Sequence, residues 1–172
     1  LLDLPEPPEK TETLDGKEMD LEFTAVRFSY EADREILKGV SMEFPAGNFT
    51  SIVGTSGCGK STAAAILMGR NQGYQGSVTI EGKQLSLIRE DSLMEHITLV
   101  SHNSYLFKGT VEDNLRMGKP DASEEEMKEV LRKVNLWGFL SAQQGLATPL
   151  AEKGANLSSG QCQRLAIARA LL

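Results

Sequence analysis

The chain has 172 residues, of which 40% are apolar and 24% are charged, as is usual for one globular domain. Its formal net charge of −6 predicts no nucleic-acid partner, because phosphate backbones are bound by clusters of Lys and Arg that the sequence lacks. Cys58 and Cys162 are too far apart to indicate a local metal site, and this cysteine usage fits a reducing, intracellular compartment. The longest apolar run, residues 63–68, is much shorter than a membrane span.

The first 16 residues are rich in proline and acidic side chains and have no hydrophobic periodicity. This composition is typical of a linker, and we predict a linker over residues 1–18 that joins an upstream segment to a domain beginning at residue 19. A frayed terminus is the alternative interpretation.

Alternating apolar and polar residues follow the linker. Residues 21–23 and 26–30 alternate with a change of phase at Thr24–Ala25, which predicts either a pair of strands or one bulged strand. Residues 40–44 alternate cleanly and end at a Pro-Ala-Gly-Asn turn. The first part of the chain is therefore expected to form an antiparallel β layer that leads into an α/β core.

A glycine-rich loop at residues 54–61 lies between the apolar run 49–53 and the apolar run 62–68. This order predicts strand, loop and helix, the context required by the phosphate-binding P-loop pattern G-x-x-x-x-G-K-[ST]. Glycines allow close backbone approach, and the helix N-terminus favours anions. An ordinary glycine-rich turn is disfavoured, because the pattern arises by chance on the order of once in a hundred chains of this length.

The motif makes Lys60 the expected ligand of the β and γ phosphates and Ser61 the expected ligand of Mg²⁺. At Cys58 two interpretations stay open, a reactive thiol activated by the helix N-terminus and a small side chain that fills the loop. The predicted nucleotide-binding residues of the loop are Gly54, Thr55, Ser56, Gly57, Cys58, Gly59, Lys60, Ser61 and Thr62.

Two further apolar runs follow the predicted P-loop helix. Residues 77–80 predict a short strand, and residues 97–100 predict a buried parallel strand. Polar residues 101–105 come directly after the second run, at the carboxyl end of the predicted strand, where open α/β sheets bind their ligands.

The remaining residues have helical patterns. Ser123 and Glu126 form a capping-box pattern ahead of apolar residues at helical spacing, and residues 136–140 continue apolar, so we predict a small helical subdomain over about 102–172. Trp137 and Phe139 are expected to pack in its core rather than to stack on bases. Ser158 and Gln161 form a second capping box before a helix that reaches the last residue.

The P-loop and the segment Leu157-Ser158-Ser159-Gly160-Gln161 together resemble the nucleotide-binding domain of ATP-binding cassette (ABC) transporters, whose signature is Leu-Ser-Gly-Gly-Gln. The resemblance extends over residues 19–172. It implies an α/β fold with a RecA-like P-loop NTPase core, an antiparallel β subdomain and a helical subdomain, with ATP and Mg²⁺ as ligands. It also implies that Tyr30 stacks on adenine and that residues 157–161 contact the ATP held by a second nucleotide-binding domain.

Within the ABC transporter family, the chain resembles the cassettes of exporters. Residues 106–115 are similar to the segment that follows the family's Q-loop, and Glu152-Lys153-Gly154 is similar to the exporter X-loop. With the linker, they imply a transmembrane domain on the same chain, a second nucleotide-binding domain in a homodimer or heterodimer, and a location at the cytoplasmic face of the cell membrane. The resemblance is somewhat greater to bacterial heterodimeric exporters, including cysteine/glutathione exporters.

The resemblance implies that ATP hydrolysis drives the transport of an unknown substrate, with Lys60 and His102 as catalytic residues. His102 replaces the Q-loop glutamine, and Ser159 replaces a signature glycine. Both departures favour the alternative of a regulatory half that binds ATP without hydrolysing it. A soluble ABC protein of repair or translation is a third class, which the linker disfavours.

In the family, the Walker B strand, the catalytic glutamate, the D-loop and the switch histidine follow the helix that here reaches Leu172. The sequence is therefore expected to be a C-terminally truncated cassette that lacks part of its core and is inactive as an ATPase by itself.

Overall fold

The computed structural model describes residues 9–31, 34–101 and 104–172. The chain divides into two compact units, the first ending at Thr98 and the second beginning at Leu99. Each unit has its own cluster of buried apolar side chains. The assignment of residues 1–18 as a linker, of 19–172 as a cassette and of about 102–172 as its helical part stays a prediction.

The first unit contains a four-stranded sheet. Its strands are β1 (Leu21–Glu31), β2 (Arg34–Phe44), β3 (Gln75–Ile80) and β4 (Lys83–Gln84), in the order β2-β1-β3-β4. All three pairings are antiparallel, so the predicted antiparallel β layer is confirmed.

The change of phase near the start of β1 is a bulge within one strand. The register with β2 and with β3 shifts just after residues 23–24, and Ala25 has a positive φ of 49°. The displaced Ala25 N–H donates to Ser41 Oγ on β2 at 2.9 Å. Because the bulge resets the alternation, Phe23 and Val26 both lie in the core.

Among its described residues the first unit also has two α-helices, α1 (Lys60–Leu67) and α2 (Glu90–His96). The predicted helix after the glycine loop is thus confirmed. Ala63 and Ile66 of α1 are buried in the same cluster as Val78 and Ile80 of β3, which fixes the helix against the unit's core.

The runs 49–53 and 97–100 do not form strands, and these two predictions were wrong. Phe49 is 99% exposed, Val53 is 86% exposed and Leu99 is 42% exposed. A strand needs hydrogen-bonding neighbours for its N–H and C=O groups, and none of the strands among the described residues pairs with either run.

The described part of the N-terminal stretch packs on the first unit. Leu14 is only 6% exposed and belongs to the unit's buried cluster. The acidic, proline-containing composition gave no sign of this docking, because it depends on groups about 70 residues away in the chain.

The second unit is mainly helical. Its helices are α3 (Val111–Arg116), α4 (Glu124–Lys133), α5 (Trp137–Ser141) and α6 (Ser159–Ala170). Two short strands, β5 (Gly109–Thr110) and β6 (Pro149–Leu150), pair antiparallel. The buried cluster draws on all four helices and includes Leu115, Met127, Leu131, Leu140 and Leu165. Among the described residues, no helix reaches the length and apolar character that crossing a bilayer requires.

Both predicted capping boxes are confirmed. Ser123 Oγ accepts from the Glu126 N–H at 3.3 Å while the Glu126 carboxylate accepts from the Ser123 N–H at 2.7 Å. The same reciprocal pair joins Ser158 and Gln161 at the start of α6. Trp137 packs against the unit's buried cluster, as predicted. Phe139 is 38% exposed, so its predicted position in the core was wrong.

Candidate nucleotide site

The glycine loop of residues 54–61 leads directly into α1. Gly57 and Gly59 have positive φ values of 81° and 99°, a backbone conformation that residues with a Cβ atom rarely adopt. At Gly59 the packing also favours glycine, because a Cβ atom there would lie 2.7 Å from Cδ2 of the buried Leu37, which would have to shift. At Gly57 a Cβ atom would meet nothing within 4 Å. The loop is therefore held against β2 at one end and is open on its outer side.

The first turn of α1 presents amide groups toward the loop. The Ala63 N–H donates to the Gly59 carbonyl at 2.9 Å and begins the helical hydrogen bonding. The N–H groups of Lys60, Ser61 and Thr62 precede that bond, so they have no partner inside the helix. Such amides, at the positive end of the helix dipole, make a suitable site for an anion.

The Lys60 ammonium is hydrogen-bonded to the start of the glycine loop. Its Nζ donates to the carbonyl oxygens of Gly54 and Thr55, each at 2.8 Å, and lies 3.5 Å from Cys58 Sγ. The lysine charge therefore lies within the glycine loop that leads into α1. The combined positive charge and N–H dipoles suit a polyphosphate, which carries several negative charges on closely spaced oxygens.

Cys58 packs inside the loop, since a Cβ atom at Gly54 would lie 2.7 Å from its Sγ. The residue is nevertheless exposed. This geometry is compatible with both interpretations of the thiol, which stay predictions.

Tyr30, at the end of β1, lies next to α1. The residue is 62% exposed, and its ring is perpendicular to that of Phe28, with the ring centroids 4.9 Å apart. Its hydroxyl accepts from Asn71 Nδ2 at 2.9 Å. Hydrogen bonding to Thr62 and then to Asn71 lowers the pKa of the Tyr30 hydroxyl from its usual value. The structure thus brings Tyr30 and Thr62 together and leaves the aromatic ring accessible.

Ser61 offers a single exposed hydroxyl at the second position of α1. Mg²⁺ in phosphate sites is commonly held by one or two protein oxygens together with phosphate oxygens and water. The described residues contain no group of three or more His, Cys, Asp or Glu side chains able to hold a metal ion. One serine hydroxyl suits a Mg²⁺ ion whose other ligands are phosphate oxygens and water.

The predicted signature residues lie in the second unit. Ser158 caps α6, and Ser159 and Gly160 are its first two residues. Both are exposed, and a Cβ atom at Gly160 would meet nothing within 4 Å. Leu157 packs against the buried helical cluster, so the segment joins an anchored residue to an exposed helix start whose amides could meet an anion.

The predicted X-loop is hydrogen-bonded to Tyr105 and Leu106. The Lys153 N–H donates to the Leu106 carbonyl at 3.0 Å, and the Tyr105 hydroxyl donates to Glu152 Oε1 at 3.1 Å. This hydrogen bond to a carboxylate raises the pKa of the Tyr105 hydroxyl. Arg169 of α6 donates to the Tyr105 carbonyl at 3.1 Å. The same segment therefore contacts both the X-loop and the helix that begins at the signature. His102 lies outside the described residues.

A glycine loop that wraps the lysine at a helix N-terminus, within an α/β fold, defines a P-loop NTPase domain. A family model described as "ABC transporter" matches residues 37–172. The chain belongs to the ABC transporter family.

Similar proteins include both relatives and a solved structure. An uncharacterized ABC transporter ATP-binding protein of Haemophilus influenzae is 41% identical over 90% of this chain and 28% of the relative. The ABC multidrug transporter mdr1 of Aspergillus fumigatus is 37% identical over 95% of this chain and 12% of its own length. The structure of a bacterial Atm1-family ABC exporter with ATP bound is 35% identical, with a TM-score of 0.87, over 98% of this chain and 29% of that one.

The chain thus spans less than a third of the length of each of these proteins. The similarity supports an ABC ATP-binding domain of exporter type, with the predicted P-loop NTPase fold and antiparallel β subdomain. The activity, substrate and partners of the whole protein are matters for proposal.

Two residues that contact the site were missed by the sequence analysis. Asn71 binds the Tyr30 hydroxyl, and Leu37 packs against Gly59. Leu37 is an apolar residue with no motif around it, and Asn71 lies in a polar turn after α1. Only the folded chain brings Asn71 to Tyr30 and Leu37 to Gly59, so no local pattern could have identified either residue.

Proposed function

We propose that this chain is the ATP-binding cassette of an ABC exporter, which binds ATP with Mg²⁺ and couples ATP hydrolysis to the transport of a substrate across a membrane. One observation carries the proposal: the Lys60 ammonium lies inside a glycine loop at the start of α1, 2.8 Å from two loop carbonyls. A polyphosphate entering the loop would exchange those carbonyl contacts for ionic ones, which are stronger.

Each residue of the site has a distinct part in the proposed reaction. The loop amides and Lys60 bind the β and γ phosphates, and Lys60 stabilises the charge that develops on the transferred phosphoryl group. Tyr30 stacks on the adenine ring. Ser61 would hold Mg²⁺, which would supply further neutralisation of the phosphate charge. His102 is proposed as a further catalytic residue, on the basis of its sequence position alone.

The proposed partners follow from the exporter resemblance. A second nucleotide-binding domain faces this one, so that the signature of each, here residues 157–161, contacts the nucleotide of the other. The exposed start of α6, with its free amides, supports that role. A transmembrane domain precedes the cassette on the same chain, which places the cassette at the cytoplasmic face of the cell membrane. Binding would close the pair and hydrolysis would reopen it.

A second candidate function is a regulatory half that holds ATP without hydrolysing it. Ser159 favours it, because the residue carries an exposed side chain at the first position of α6, where the signature of the family has glycine. That side chain would crowd the approach of backbone to a γ phosphate across the interface.

Calorimetric titration of the chain with ATP and Mg²⁺ tests the nucleotide site. We expect Lys60→Ala to weaken binding on the order of 100-fold, because the variant loses several charge-assisted hydrogen bonds. Lys38→Ala, which removes an exposed lysine of β2, is the matched control and is expected to bind as the unmodified chain does. Equal affinity in Lys60→Ala would contradict the proposal.

The two candidate functions predict different nucleotides in this site after the whole transporter has turned over. Identifying the bound nucleotide therefore distinguishes them. Vanadate-trapped ADP would support hydrolysis here. Retained ATP would support the regulatory alternative.

A further inference from the structure

The N-terminal residues 10–16, here called the strap, are tied to the first unit by hydrogen bonds along most of their length. The Glu12 N–H donates to the Leu87 carbonyl, and the Arg89 N–H donates to the Glu12 carbonyl, each at 2.9 Å. The Leu14 N–H donates to Ser92 Oγ of α2 at 2.8 Å. These bonds form a short parallel bridge beside α2, so the strap is part of the folded unit.

The carboxylate of Glu81 clamps the far end of the strap. It accepts from the Asp15 N–H at 3.0 Å and the Gly16 N–H at 2.7 Å, and the Lys83 ammonium lies 3.2 Å away. The Glu81 side chain is only 7% exposed. Two backbone donors and one cation therefore satisfy a carboxylate that would be costly to bury alone.

The turn between β3 and β4 aims this carboxylate. Glu81 and Gly82 both have positive φ, 53° and 70°, the combination that defines the tight hairpin turn matching the twist of paired strands. Glutamate is an uncommon residue at positive φ. The Glu81 carboxylate binds the strap amides, and we interpret these hydrogen bonds as compensation for the strain energy of its backbone conformation.

Other strap contacts contribute less. Lys10 pairs with Glu90 at 2.9 Å, but the Glu90 side chain is mostly exposed, and exposed ion pairs add little to stability. The Asp15 amide is the main reason that the pKa of Glu81 lies below its usual value. The clamp is consequently centred on Glu81 rather than on the surface ion pair.

The strap is connected to the P-loop helix through the core. Leu14 lies in the same buried cluster as Ala63 and Ile66 of α1 and Leu93 of α2. A cavity of 320 Å³ is lined by Lys10 of the strap, by Ile66 and Gly69 at the end of α1, and by Leu93. A change in the strap would therefore alter the packing on α2 and α1, and α1 carries the amides of the glycine loop.

We infer that the strap is a conformational device in which docking of residues 10–16, clamped by Glu81, and occupation of the glycine loop stabilise each other. The inference rests on the proposed function for its ligand, ATP with Mg²⁺. Because coupling between two sites is reciprocal, ATP should hold the strap down, and a released strap should weaken ATP binding. Any pull on the chain at residue 10 would then act on the nucleotide site.

Amide hydrogen exchange and calorimetry on the full chain test the device together. In Glu81→Ala we expect exchange at Asp15 and Gly16 to become at least about tenfold faster, because both amides lose their acceptor. We expect the affinity for ATP with Mg²⁺ to fall about fivefold. In the unmodified chain, saturating ATP should slow exchange at the same two amides.

Two further variants serve as a control and as a substitute for Glu81→Ala. Glu43→Ala removes an exposed carboxylate of β2 and should change neither the exchange rates at Asp15 and Gly16 nor the affinity for ATP. Ser92→Ala removes the acceptor of the Leu14 amide. It replaces Glu81→Ala if that variant does not unfold cooperatively, and we expect it to speed amide exchange in the strap and to lower the affinity for ATP.

The outcomes separate the device from the proposed function. Unchanged exchange at Asp15 and Gly16 in Glu81→Ala would overturn the clamp. Faster exchange with unaltered ATP affinity would overturn the coupling. An unmodified chain that binds no ATP would contradict both the proposed function and the coupling. Amide exchange at Asp15 and Gly16, compared without nucleotide between Glu81→Ala and the unmodified chain, would still show whether Glu81 holds the strap.

Discussion

The hydroxyl oxygen of Tyr30 accepts a hydrogen bond from the side-chain amide of Asn71 at 2.9 Å. This bond joins the end of β1 to the turn that follows α1, so both ends of the contact lie close in sequence to elements of the candidate site. The Tyr30 ring itself stays largely exposed. The hydroxyl bond therefore helps to fix the position of an exposed aromatic residue.

The two parts of Tyr30 can be separated by substitution. We expect Tyr30→Ala to weaken ATP binding about tenfold, because base–aromatic stacking contributes about 1–3 kcal/mol. Tyr30→Phe keeps the ring and loses only the hydrogen bonding of the hydroxyl to Thr62 and Asn71, so we expect a change of about twofold or less. Calorimetric titration measures both variants. A loss of equal size in Tyr30→Phe would show that the hydroxyl, and not stacking, is what the site uses.

Gly57 and Gly59 provide a second matched pair. Both have positive φ, but only at Gly59 would a Cβ atom meet the buried Leu37. We expect Gly57→Ala to cost about 1 kcal/mol of stability from backbone strain. Gly59→Ala should cost about 2–4 kcal/mol, because overpacking adds to the same strain. Urea unfolding measures both values, and equal costs would mean that Leu37 moves aside freely.

The features that the sequence predicted well are determined locally. The glycine loop, the helix that follows it and the capping boxes at Ser123 and Ser158 each depend on residues within one or two turns of one another. Helix starts can be identified from sequence for this reason, since the side chain that caps the helix is three residues from the amide that it binds.

The features that could not be predicted from the sequence depend on hydrogen-bonding partners that are distant in the chain. Runs 49–53 and 97–100 are apolar enough for strands, but a strand forms only when another strand accepts its hydrogen bonds. The strap has the composition of a linker, yet its acceptors lie on Glu81, Leu87 and Ser92. Asn71 reaches Tyr30 across 41 residues of chain. Such pairings are fixed by the fold, so no single segment reveals them.

The capping box of α4 makes a prediction about pH. The side chain of Lys119, and then the Ser123 backbone and hydroxyl groups, lower the pKa of Glu126 from 4.5 to about 2. Because the folded-state value is the lower one, the carboxylate stabilises the fold above pH 4.5, and this contribution is lost as the pH falls from there towards 2. The free energy of unfolding of the unmodified chain should exceed that of Glu126→Gln at neutral pH, and the difference should shrink on acidification.

Denaturant unfolding over a series of pH values measures that difference. Glu129→Gln is the control, because Glu129 lies on the same helix and pairs with Lys133 at 2.9 Å on an exposed surface, where such pairs contribute little. A constant difference between Glu126→Gln and the unmodified chain across the acid range would contradict the assignment of the stabilisation to the ionised carboxylate.

Asn114 of α3 should be the most costly polar side chain to remove from the second unit. It is fully buried and accepts from the Phe107 N–H at 2.9 Å, while its Nδ2 donates to the carbonyls of Phe107 at 2.9 Å and Thr110 at 3.0 Å. Asn114→Ala leaves these backbone groups without their partner, so we expect a loss of about 2–4 kcal/mol in the free energy of unfolding. Asn156→Ala also removes two bonds to backbone, to Ala151 N–H and the Pro149 carbonyl, but at an exposed position, where water can replace them at a cost of about 1 kcal/mol or less. Urea unfolding of the two variants compares them directly, and similar losses would mean that the groups released by Asn114 regain partners by a local shift of residues 107–110.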